Sequence, residues 1–404
     1  MTAGFSNAGQ DSDNQDSGYQ DRDYGDLNAQ FRTFYFNRDK EPDPDSEAFT
    51  QGLMLRYSSP YYRDVTGLNA SWFGNLKLVG EDGKGGTGLL HDQEDGSQES
   101  YRKLAEIFVK FKLPYAGGLD IGRIELDTPL LNNPDFRATP STTQAGVLRL
   151  GTEKTGFYGL VSDKGSAQTD TDFGSYTDSN GDNFNIYVVG IQHNADNLLT
   201  LHASVGQADN VMQQIYFNAG YPWRINNKFS LLLDGYQYYG RADGEGALVG
   251  VGPDYSSSLT NIATRLSGKN VKWTLSYQKV HGDDYQISWD GFVHNDNTYQ
   301  NWQSVQRLNF ELGGEESWQI RVDYDFKDNI EGFSAMARYI SGDNIKREDG
   351  RNGSEWERDI DFIYSPPGID NLSLRWRYAV VRSSETFDSD EHRFIINYTI
   401  ENNL

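Results

Sequence analysis

The sequence predicts an all-β fold, a single closed transmembrane β-barrel of antiparallel strands. The first observation is strict alternation: in Trp318–Phe326, Trp318 and every second residue after it form an apolar face, and the intervening Gln, Arg and Asp residues form a polar one. The same alternation recurs at Leu372–Tyr378 and Phe394–Ile400. No run of about 18 consecutive apolar residues occurs, which excludes a helical membrane protein. The 42 Gly, 25 Tyr and 8 Trp suit tight turns and interfacial aromatic belts.

The composition is compatible with a barrel and excludes one class of partner. The mean hydropathy of -0.70 is low because half of each strand would face water and the outer loops are polar. The formal net charge of -23 argues against nucleic acid, whose binding requires basic groups that neutralise phosphates. The start at Met1 lacks a basic region followed by an apolar one, so we expect a mature chain whose signal peptide has been removed.

Nineteen segments have the alternation or the short apolar runs of strands. The first are Ala29–Phe36, Gly52–Tyr57, Leu68–Leu78, Leu104–Leu113, Leu119–Glu125, Ala145–Thr152, Phe157–Ser162, Phe184–Gln192 and Leu198–Val205. The others are Ile215–Tyr221, Phe229–Tyr239, Thr260–Leu266, Val271–Val280, Val305–Leu312, Trp318–Phe326, Phe333–Ile340, Glu357–Tyr364, Leu372–Val381 and Phe394–Ile400. Single-chain bacterial barrels close with an even number of strands, so one segment is expected not to be a strand, and Val305–Leu312 is the candidate.

The connections alternate between short turns and long polar loops, as in transmembrane barrels. Short-turn chemistry occurs at Asn194–Asn197, Ser267–Asn270 and Gly313–Glu316. Long Gly-rich segments occur at Gly80–Tyr101, Asp163–Asn183, Arg241–Ser258 and His281–Gln303. Because Pro129, Pro134 and Pro140 stiffen the segment Asp127–Thr143, we expect it to fold into the barrel and narrow it. We therefore divide the chain into an acidic N-terminal segment, 1–28, and a transmembrane barrel, 29–404.

Basic residues alternate with apolar ones and therefore fall on the polar faces of the predicted strands. They are Lys77, Lys110, Lys112, Arg307, Arg321, Arg338 and Arg393. A cation facing lipid at mid-bilayer costs roughly 2–4 kcal/mol, so these side chains are expected to point into the lumen. Guanidiniums on neighbouring strands can pass a carboxylate along by paired hydrogen bonds, which gives the weak multi-site binding that conduction requires. The alternative is that these cations only neutralise inward carboxylates, among them Asp323, Asp325, Asp359 and Asp361.

Seven strings of the sequence resemble the OprD family of outer membrane porins, in the family's order, from about residue 29 to the C-terminus. They are Arg32-Thr-Phe-Tyr-Phe-Asn-Arg-Asp39, Gln51-Gly-Leu-Met-Leu-Arg-Tyr57, Gly85-Gly-Thr-Gly-Leu-Leu90, Ala337-Arg-Tyr-Ile-Ser-Gly-Asp-Asn344, Glu355-Trp-Glu-Arg-Asp359, Arg375-Trp-Arg-Tyr-Ala379 and Asp390-Glu-His-Arg-Phe-Ile-Ile-Asn-Tyr-Thr-Ile400. The resemblance implies a pore of about 18 strands in the Gram-negative outer membrane, narrowed by an inward third loop and lined by an Arg and Lys ladder that conducts carboxylates.

The third-loop motif of that family matches Gly122–Leu131 and Asp135–Pro140. The resemblance thus places five residues at the constriction: Asp127, Pro129, Asp135, Arg137 and Pro140. It also adds Arg32, Arg123, Arg149, Arg375 and Arg377 to the expected substrate pathway. We expect Arg137 to face Arg321 and Arg377 across the lumen. The segment His281–Gln303 departs from the family pattern, which leaves the substrate open.

The leading interpretation is a passive, substrate-selective channel for small carboxylates such as amino acids or aromatic acids. The first alternative is a porin for oligosaccharides of the chitooligosaccharide type, with an aromatic track made by Tyr35, Phe73, Tyr187, Tyr236 and Tyr238. The second is an adhesin or structural barrel with a plugged lumen. The expected partners are small anionic or zwitterionic solutes, outer-membrane lipid and lipopolysaccharide. We expect a monomer, with a trimer as the alternative.

Enzyme and metal signatures are missing from the sequence. With 6 His and no Cys there is no His-Glu-x-x-His zinc pattern, no Gly-x-Ser-x-Gly elbow and no phosphate loop. A hydrolytic Ser–His pair would have to use His202 or His281. The acidic strings at 11–18 and 178–183 lack the spacing and the closing Glu of a calcium loop. We therefore expect no catalytic activity, no metal and no cofactor.

Overall fold

The computed structural model describes residues 25–114, 117–152, 154–196, 198–246, 248, 251–347 and 349–403. Most of the predicted acidic N-terminal segment, residues 1–24, lies outside the described residues. The strands are β1 (Asp26–Glu41), β2 (Ser46–Ser58), β3 (Thr66–Val79), β4 (His91–Asp92), β5 (Gln98–Glu99), β6 (Tyr101–Leu113), β7 (Gly117–Ile124), β8 (Thr142–Gly151), β9 (Thr155–Ser166), β10 (Gly174–Ser175), β11 (Ile186–Asn194), β12 (Thr200–Ala208), β13 (Met212–Arg224), β14 (Ser230–Ala242), β15 (Ser256–Ser267), β16 (Val271–Gly282), β17 (Glu316–Asp325), β18 (Phe333–Lys346), β19 (Asn352–Tyr364), β20 (Leu372–Ser383) and β21 (Asp388–Asn403). Within these ranges no helix is long and apolar enough to cross a membrane.

Eighteen of the strands form one closed antiparallel wall, whereas β4, β5 and β10 are two-residue strands within the connections. Each wall strand pairs with its neighbours in chain order, and the ring closes where β1 pairs with β21 from Asp26 opposite Asn403 to Glu41 opposite Asp388. Closure removes the unpaired sheet edge, which hydrocarbon cannot accommodate. The predicted fold class is confirmed.

Side chains alternate between the two faces of the wall as the sequence pattern indicates. In β17, Trp318 and Ile320 are 49% and 40% exposed on the outer face, whereas Gln319 and Arg321 are 1% and 5% exposed on the inner one. The outward face is therefore the apolar face that contacts lipid, and the inward face is polar.

Every predicted strand except 305–312 overlaps an observed strand. That segment, the candidate expected not to be a strand, is part of connection 283–315, which runs inside the barrel. The turn predicted after it forms, with the Glu315 N–H donating to the Leu312 carbonyl at 3.0 Å, but it does not join two strands of the wall.

The alternation in 305–312 has another cause: Leu308 and Phe310 pack against Ile340 and Val381. The carboxylate of Glu357 also accepts hydrogen bonds from the backbone N–H groups of residues 307 and 308, at 2.9 and 2.8 Å. Burial of a loop thus produced a strand-like pattern.

The two rims of the barrel differ in the length of their connections. One rim, here called the short-turn rim, carries the first residues of β1 and the last residues of β21. It also carries connections such as 59–65, 152–154 and 268–270. The other, the long-loop rim, carries connections 80–100, 125–141, 167–185, 243–255 and 283–315. Bacterial barrels place short turns in the periplasm and longer loops outside the cell, which orients the chain.

Two connections fold inward and fill part of the barrel. Leu130 and Leu131 of connection 125–141 share one buried cluster with Trp289, Tyr299 and Trp302 of connection 283–315. Wall residues from β6 to β16 complete that cluster. The inward third loop was expected from the sequence, but the second inward loop was not.

We expect the protein to remain folded in detergent until it is heated, because a closed wall has no free edge at which strands can separate. Electrophoresis of heated and unheated samples should show two mobilities, and circular dichroism should report β-structure in the unheated form. A largely helical spectrum would contradict the fold.

Candidate functional site

A cavity of about 1930 Å³ occupies the lumen. Its lining begins at the short-turn rim, with Asn28 and Asp370, and reaches the inward loops at Arg137 and Arg307. The inward loops thus form the constriction at the outer end of this cavity. What passes from one side of the membrane to the other must pass the side chains that these loops present.

Arg32 of β1 anchors the constriction loop, 125–141. Its guanidinium donates to both carboxylate oxygens of Asp135, at 2.5 and 2.9 Å, and to the carbonyl oxygen of Arg137 at 2.6 Å. The remaining Nε–H donates to Asn397 on β21 at 2.8 Å. Although burial opposes ionisation, Arg32 holds the pKa of Asp135 below its usual value. Arg32, predicted as a ladder residue, therefore holds the loop against the seam where the barrel closes.

Gly52 of β2 allows the same loop to approach the wall closely. A side chain at this position would place its Cβ 2.9 Å from the carbonyl oxygen of Ala138. The loop thus crosses the lumen from β7 to the β1–β2 side and rests there directly on backbone.

Connection 283–315 is hydrogen-bonded to the constriction loop on the side away from β1. Trp289 Nε1–H and the Asn297 side-chain amide both donate to the carbonyl oxygen of Leu130, at 2.5 and 2.9 Å. In the reverse direction, the backbone N–H of Asn132 donates to Asn297 Oδ1 at 2.9 Å, and its side-chain amide donates to the Thr298 carbonyl at 2.9 Å. The two loops therefore form one hydrogen-bonded unit.

A third connection, 167–185, joins this unit through Gln168. The Gln168 backbone N–H donates to Asp296 at 2.7 Å, and its side-chain amide donates to the Pro134 carbonyl at 2.8 Å. Lys103, from β6, secures the same connection by donating to the Ala167 carbonyl at 2.7 Å. His294 lies 3.1 Å from Asp170. Three connections are thus joined by hydrogen bonds at the constriction.

Basic side chains surround Phe36 on the β1 and β21 side of the lumen. The guanidinium carbons of Arg38, Arg137 and Arg393 lie 5.1, 5.6 and 4.5 Å from the centre of its ring. Glu391 pairs with Arg38 at 2.5 Å and Arg393 at 2.6 Å, and Arg307 lies 4.0 Å away. We call these six residues, Phe36, Arg38, Arg137, Arg307, Glu391 and Arg393, the Phe36 cluster.

Arg137 gives the Phe36 cluster its excess of positive charge. Among the residues that the structure describes, no carboxylate lies within ion-pair distance of its guanidinium, and its one hydrogen bond is to the neighbouring Phe136 carbonyl at 3.4 Å. Burial, together with the nearby Arg393 and Arg38, lowers the pKa of Arg137 well below its usual value. An anion that binds here would relieve this repulsion.

Most of the predicted pathway residues line the cavity. They are Arg32, Lys110, Arg137, Arg149, Arg307, Arg338, Arg375, Arg377 and Arg393. Several are paired with wall carboxylates: Arg338 with Asp359 at 2.5 Å, Arg375 with Asp361 at 2.9 Å, and Arg149 with Asp120. Charge neutralisation, the alternative weighed for these cations, thus applies to part of the set.

Four predicted pathway residues lie elsewhere. Arg321 is on the inner face but is held by Asp323 at 2.5 Å and does not line the cavity. Lys77 donates to the Gln98 carbonyl at 2.8 Å in connection 80–100, and Lys112 pairs with Asp64 at 2.7 Å on an exposed turn. Both are engaged at a rim, where their strands leave the wall.

The inward direction predicted for Arg123 is wrong. Arg123 lies directly opposite Ile107 of β6, a residue that is 43% exposed on the outer face. Its guanidinium carbon is 4.2 Å from the centre of the Phe173 ring, in connection 167–185. Directly paired residues share a face of the sheet, so Arg123 faces outward.

The expected position of Arg137 opposite Arg321 and Arg377 is also wrong. Arg137 packs over Phe36, beside Arg393, and Arg393 is the register partner of Arg377 on the neighbouring strand. Of the other predicted constriction residues, Asp127 and Asp135 line the cavity, whereas Pro129 and Pro140 are buried behind it. Pro129 and Pro140 thus shape the loop without contacting the passage.

The sequence reading missed two basic residues and most of an aromatic surface. Arg38 belongs to the Phe36 cluster, and Arg56 pairs with Glu125 at 2.9 Å in the cavity lining. Tyr158, Tyr216 and Tyr236 line the cavity from β9, β13 and β14, about halfway around the wall from β1; we call them the tyrosine wall.

The predicted aromatic track does not form a continuous surface. Of its five members only Tyr236 lines the cavity. Tyr187 is 42% exposed on the outer face, and Tyr35 packs against Phe394, which is also outward-facing. Phe73 and Tyr238 are buried. Strand alternation alone could have placed Tyr35 and Tyr187 on the lipid side.

Comparison with known proteins gives a consistent result. The model of the family described as outer membrane porin, OprD family, matches residues 23–402. Porin D of Pseudomonas aeruginosa is 28% identical over 412 aligned residues, which cover 93% of this chain and 90% of that protein. Two Pseudomonas aeruginosa crystal structures superpose with a TM-score of 0.84: OccK9 (OpdG), at 27% identity over 94% of this chain and 98% of that one, and OpdK with vanillate, at 24% identity over 94% and 99%.

We expect Arg32→Ala to release the constriction loop from β1 and raise small-ion conductance in planar bilayers. A hydrogen bond to a charged group contributes roughly 1.5–3 kcal/mol, and the lower end applies because the Asp135 side chain is 35% exposed. Arg321→Ala is the control, since Arg321 does not line the cavity, and should leave conductance unchanged. Equal conductance in Arg32→Ala and the wild type would show that this anchor is not needed.

We expect His294 to titrate above the ordinary histidine pKa of about 6.5, because its hydrogen bond to Asp170 raises the pKa of the imidazole. The stabilisation is present in full below the unfolded-state pKa and is lost as pH rises through the folded one. NMR titration of the histidines should show the raised pKa, and Asp170→Asn should lower it. Asp172→Asn, at a nearby exposed acid, is the control; an unchanged His294 pKa in Asp170→Asn would contradict the assignment.

Proposed function

Because this chain belongs to the OprD family of outer membrane porins, we propose that it admits small carboxylate-bearing solutes selectively. It is a passive channel of the Gram-negative outer membrane and not an enzyme. The observation that carries the proposal is the guanidinium of Arg137 at the constriction, which lies next to Arg38 and Arg393 and has no carboxylate partner among the described residues.

A carboxylate suits this position for electrostatic and geometric reasons. The planar guanidinium of Arg137 offers a fork of N–H donors that matches two carboxylate oxygens. Arg307, 4.0 Å from Glu391, is only loosely paired and can share the anion. Beyond it, Arg377 and Arg375 continue the basic side of the lining toward the short-turn rim. Successive weak contacts along the lumen let a solute bind and leave, as conduction requires.

The tyrosine wall favours solutes that also carry a ring. Tyr158, Tyr216 and Tyr236 present aromatic surface about halfway around the barrel from the Phe36 cluster. The hydroxyl of Tyr158 is hydrogen-bonded to His202 at 3.1 Å, which fixes its orientation. An aromatic acid can direct its carboxylate to the basic side and its ring to the tyrosines. Among carboxylates we therefore propose aromatic acids ahead of aliphatic amino acids.

The two alternatives have less support. An oligosaccharide needs a continuous aromatic track and no excess of cations, whereas most members of the predicted track do not line the cavity. A plugged structural barrel is difficult to reconcile with a lumen cavity of about 1930 Å³.

We expect Arg137→Ala to weaken the block of ion current by benzoate about tenfold or more, because a hydrogen bond to a charged group contributes roughly 1.5–3 kcal/mol. Arg137→Lys should restore only part of the block, since it keeps the charge and loses the planar fork. The probes are benzoate and, as a neutral match, benzyl alcohol, measured by single-channel recording.

The matched variant is Arg123→Ala, which removes the same side chain from the outer face and should leave the benzoate block unchanged. If Arg137→Ala and the wild type are blocked equally, Arg137 does not bind the carboxylate. If benzyl alcohol blocks as well as benzoate, the channel does not select carboxylates and the proposed function is wrong.

A further inference from the structure

Three basic side chains lie together on the outside of the barrel. Arg102 of β6 is in step with Leu104, which is 44% exposed to lipid, and Arg123 of β7 lies opposite Ile107. Gln144 of β8 pairs with Arg123 on one side and Lys164 of β9 on the other, so Lys164 shares their face. We call Arg102, Arg123 and Lys164 the outer basic patch.

The outer basic patch lies at the long-loop rim. Arg102 is the second residue of β6 as it enters the wall, and Arg123 is the last but one of β7 as it leaves. The apolar outer face begins immediately below, with Leu104, Ile107 and Val161 all more than 40% exposed. The three cations therefore lie where the apolar band ends and the extracellular connections begin, at the level of lipid head groups.

No carboxylate of the described residues neutralises this patch: none lies within 4.0 Å of the charged groups of Arg102, Arg123 or Lys164. The nearest acidic residue in sequence, Asp163, instead accepts two hydrogen bonds from the Gln144 side chain at 3.0 and 3.2 Å. The Phe173 ring, 4.2 Å from the Arg123 guanidinium carbon, holds that group at the rim.

Of the other cations on this outer face, Lys279 and Arg382 are neutralised by carboxylates, whereas Arg241 of β14 and Arg358 of β19 have no carboxylate within 4.0 Å among the described residues. Lys279 pairs with Glu316, and Arg382 pairs with Asp390 at 2.7 Å and Asp388 at 3.6 Å. An unpaired cation on the lipid side is costly except near the head groups, where lipid anions can supply the missing charge. The outer basic patch differs in that three such cations lie together on neighbouring strands, which points to an anionic ligand that is not part of the chain.

We propose that the outer basic patch binds the phosphate groups of lipid A, the lipid anchor of lipopolysaccharide in the outer leaflet. Arginine forks match phosphate oxygens in a bidentate way, and Lys164 adds a point charge. The acyl chains would lie along the exposed residues Leu104, Ile107 and Val161 directly below. This contact is on the outer surface and is independent of what passes through the lumen.

The test measures binding of purified full-length protein to lipid A in detergent, by native mass spectrometry, with three lipids compared: diphosphorylated lipid A, enzymatically dephosphorylated lipid A and phosphatidylglycerol. We expect the diphosphorylated form to bind most tightly. Arg102→Gln/Arg123→Gln should weaken its binding about tenfold or more, because each surface cation contributes severalfold to attraction of an anionic lipid.

The matched control is Lys279→Gln/Arg382→Gln, which removes two cations from the same face and rim where protein carboxylates already neutralise them. Because these charges are already neutralised, the control variant should change lipid A binding by less than about threefold. Each variant is first checked for heat-dependent electrophoretic mobility, so that loss of folding is recognised. Equal loss in both variants would indicate a general charge effect, and equal binding of dephosphorylated lipid A would overturn the phosphate assignment. Equal binding of phosphatidylglycerol would overturn the assignment to lipid A.

Discussion

The constraint on which the whole structure depends is that hydrocarbon provides no hydrogen-bond partner for a peptide group. Every strand must therefore be paired on both edges. The pairing of β1 with β21 removes the last two free edges and so completes this requirement. The seam has a second role, because Arg32 and Asn397 lie on it and the constriction loop is attached there. Closure of the wall and placement of the constriction thus depend on the same pair of strands.

A wall that is apolar outside must hold its polar and charged residues inside. The charges that are buried there need partners within the lumen. Buried cations such as Arg338 and Arg375 are stabilised by wall carboxylates, which leaves little net charge along much of the surface. The Phe36 cluster is the exception, because Glu391 faces several guanidiniums and Arg137 has no carboxylate partner in the part of the chain that the structure describes. Selectivity in the proposed function arises from this local imbalance rather than from the total number of basic residues. The overall charge of -23 has the opposite sign and does not describe the constriction.

The wall could be predicted from the sequence because alternation is a local property of each strand. The interior could not be predicted in the same way. Arg38 was missed because the predicted first strand stopped at Phe36, whereas β1 continues to Glu41. Arg123 was assigned to the wrong face because its strand had been read from the family motif and not from the partner residue Ile107. Connection 283–315 was missed because hydrogen bonds such as Trp289 to Leu130 join residues far apart in sequence, and no local pattern encodes them.

The place where His294 packs restricts which residues two connections can contain. The His294 carbonyl oxygen would lie 2.2 Å from a Cβ at Gly165, and its Nε2 would lie 2.0 Å from a Cβ at Gly174, so both positions exclude any larger residue while His294 occupies this place. Connections 167–185 and 283–315 therefore cannot diverge independently, since a change in one restricts the residues allowed in the other. An engineer who moves a pore lining between barrels should transplant these two connections together with 125–141, as one cassette.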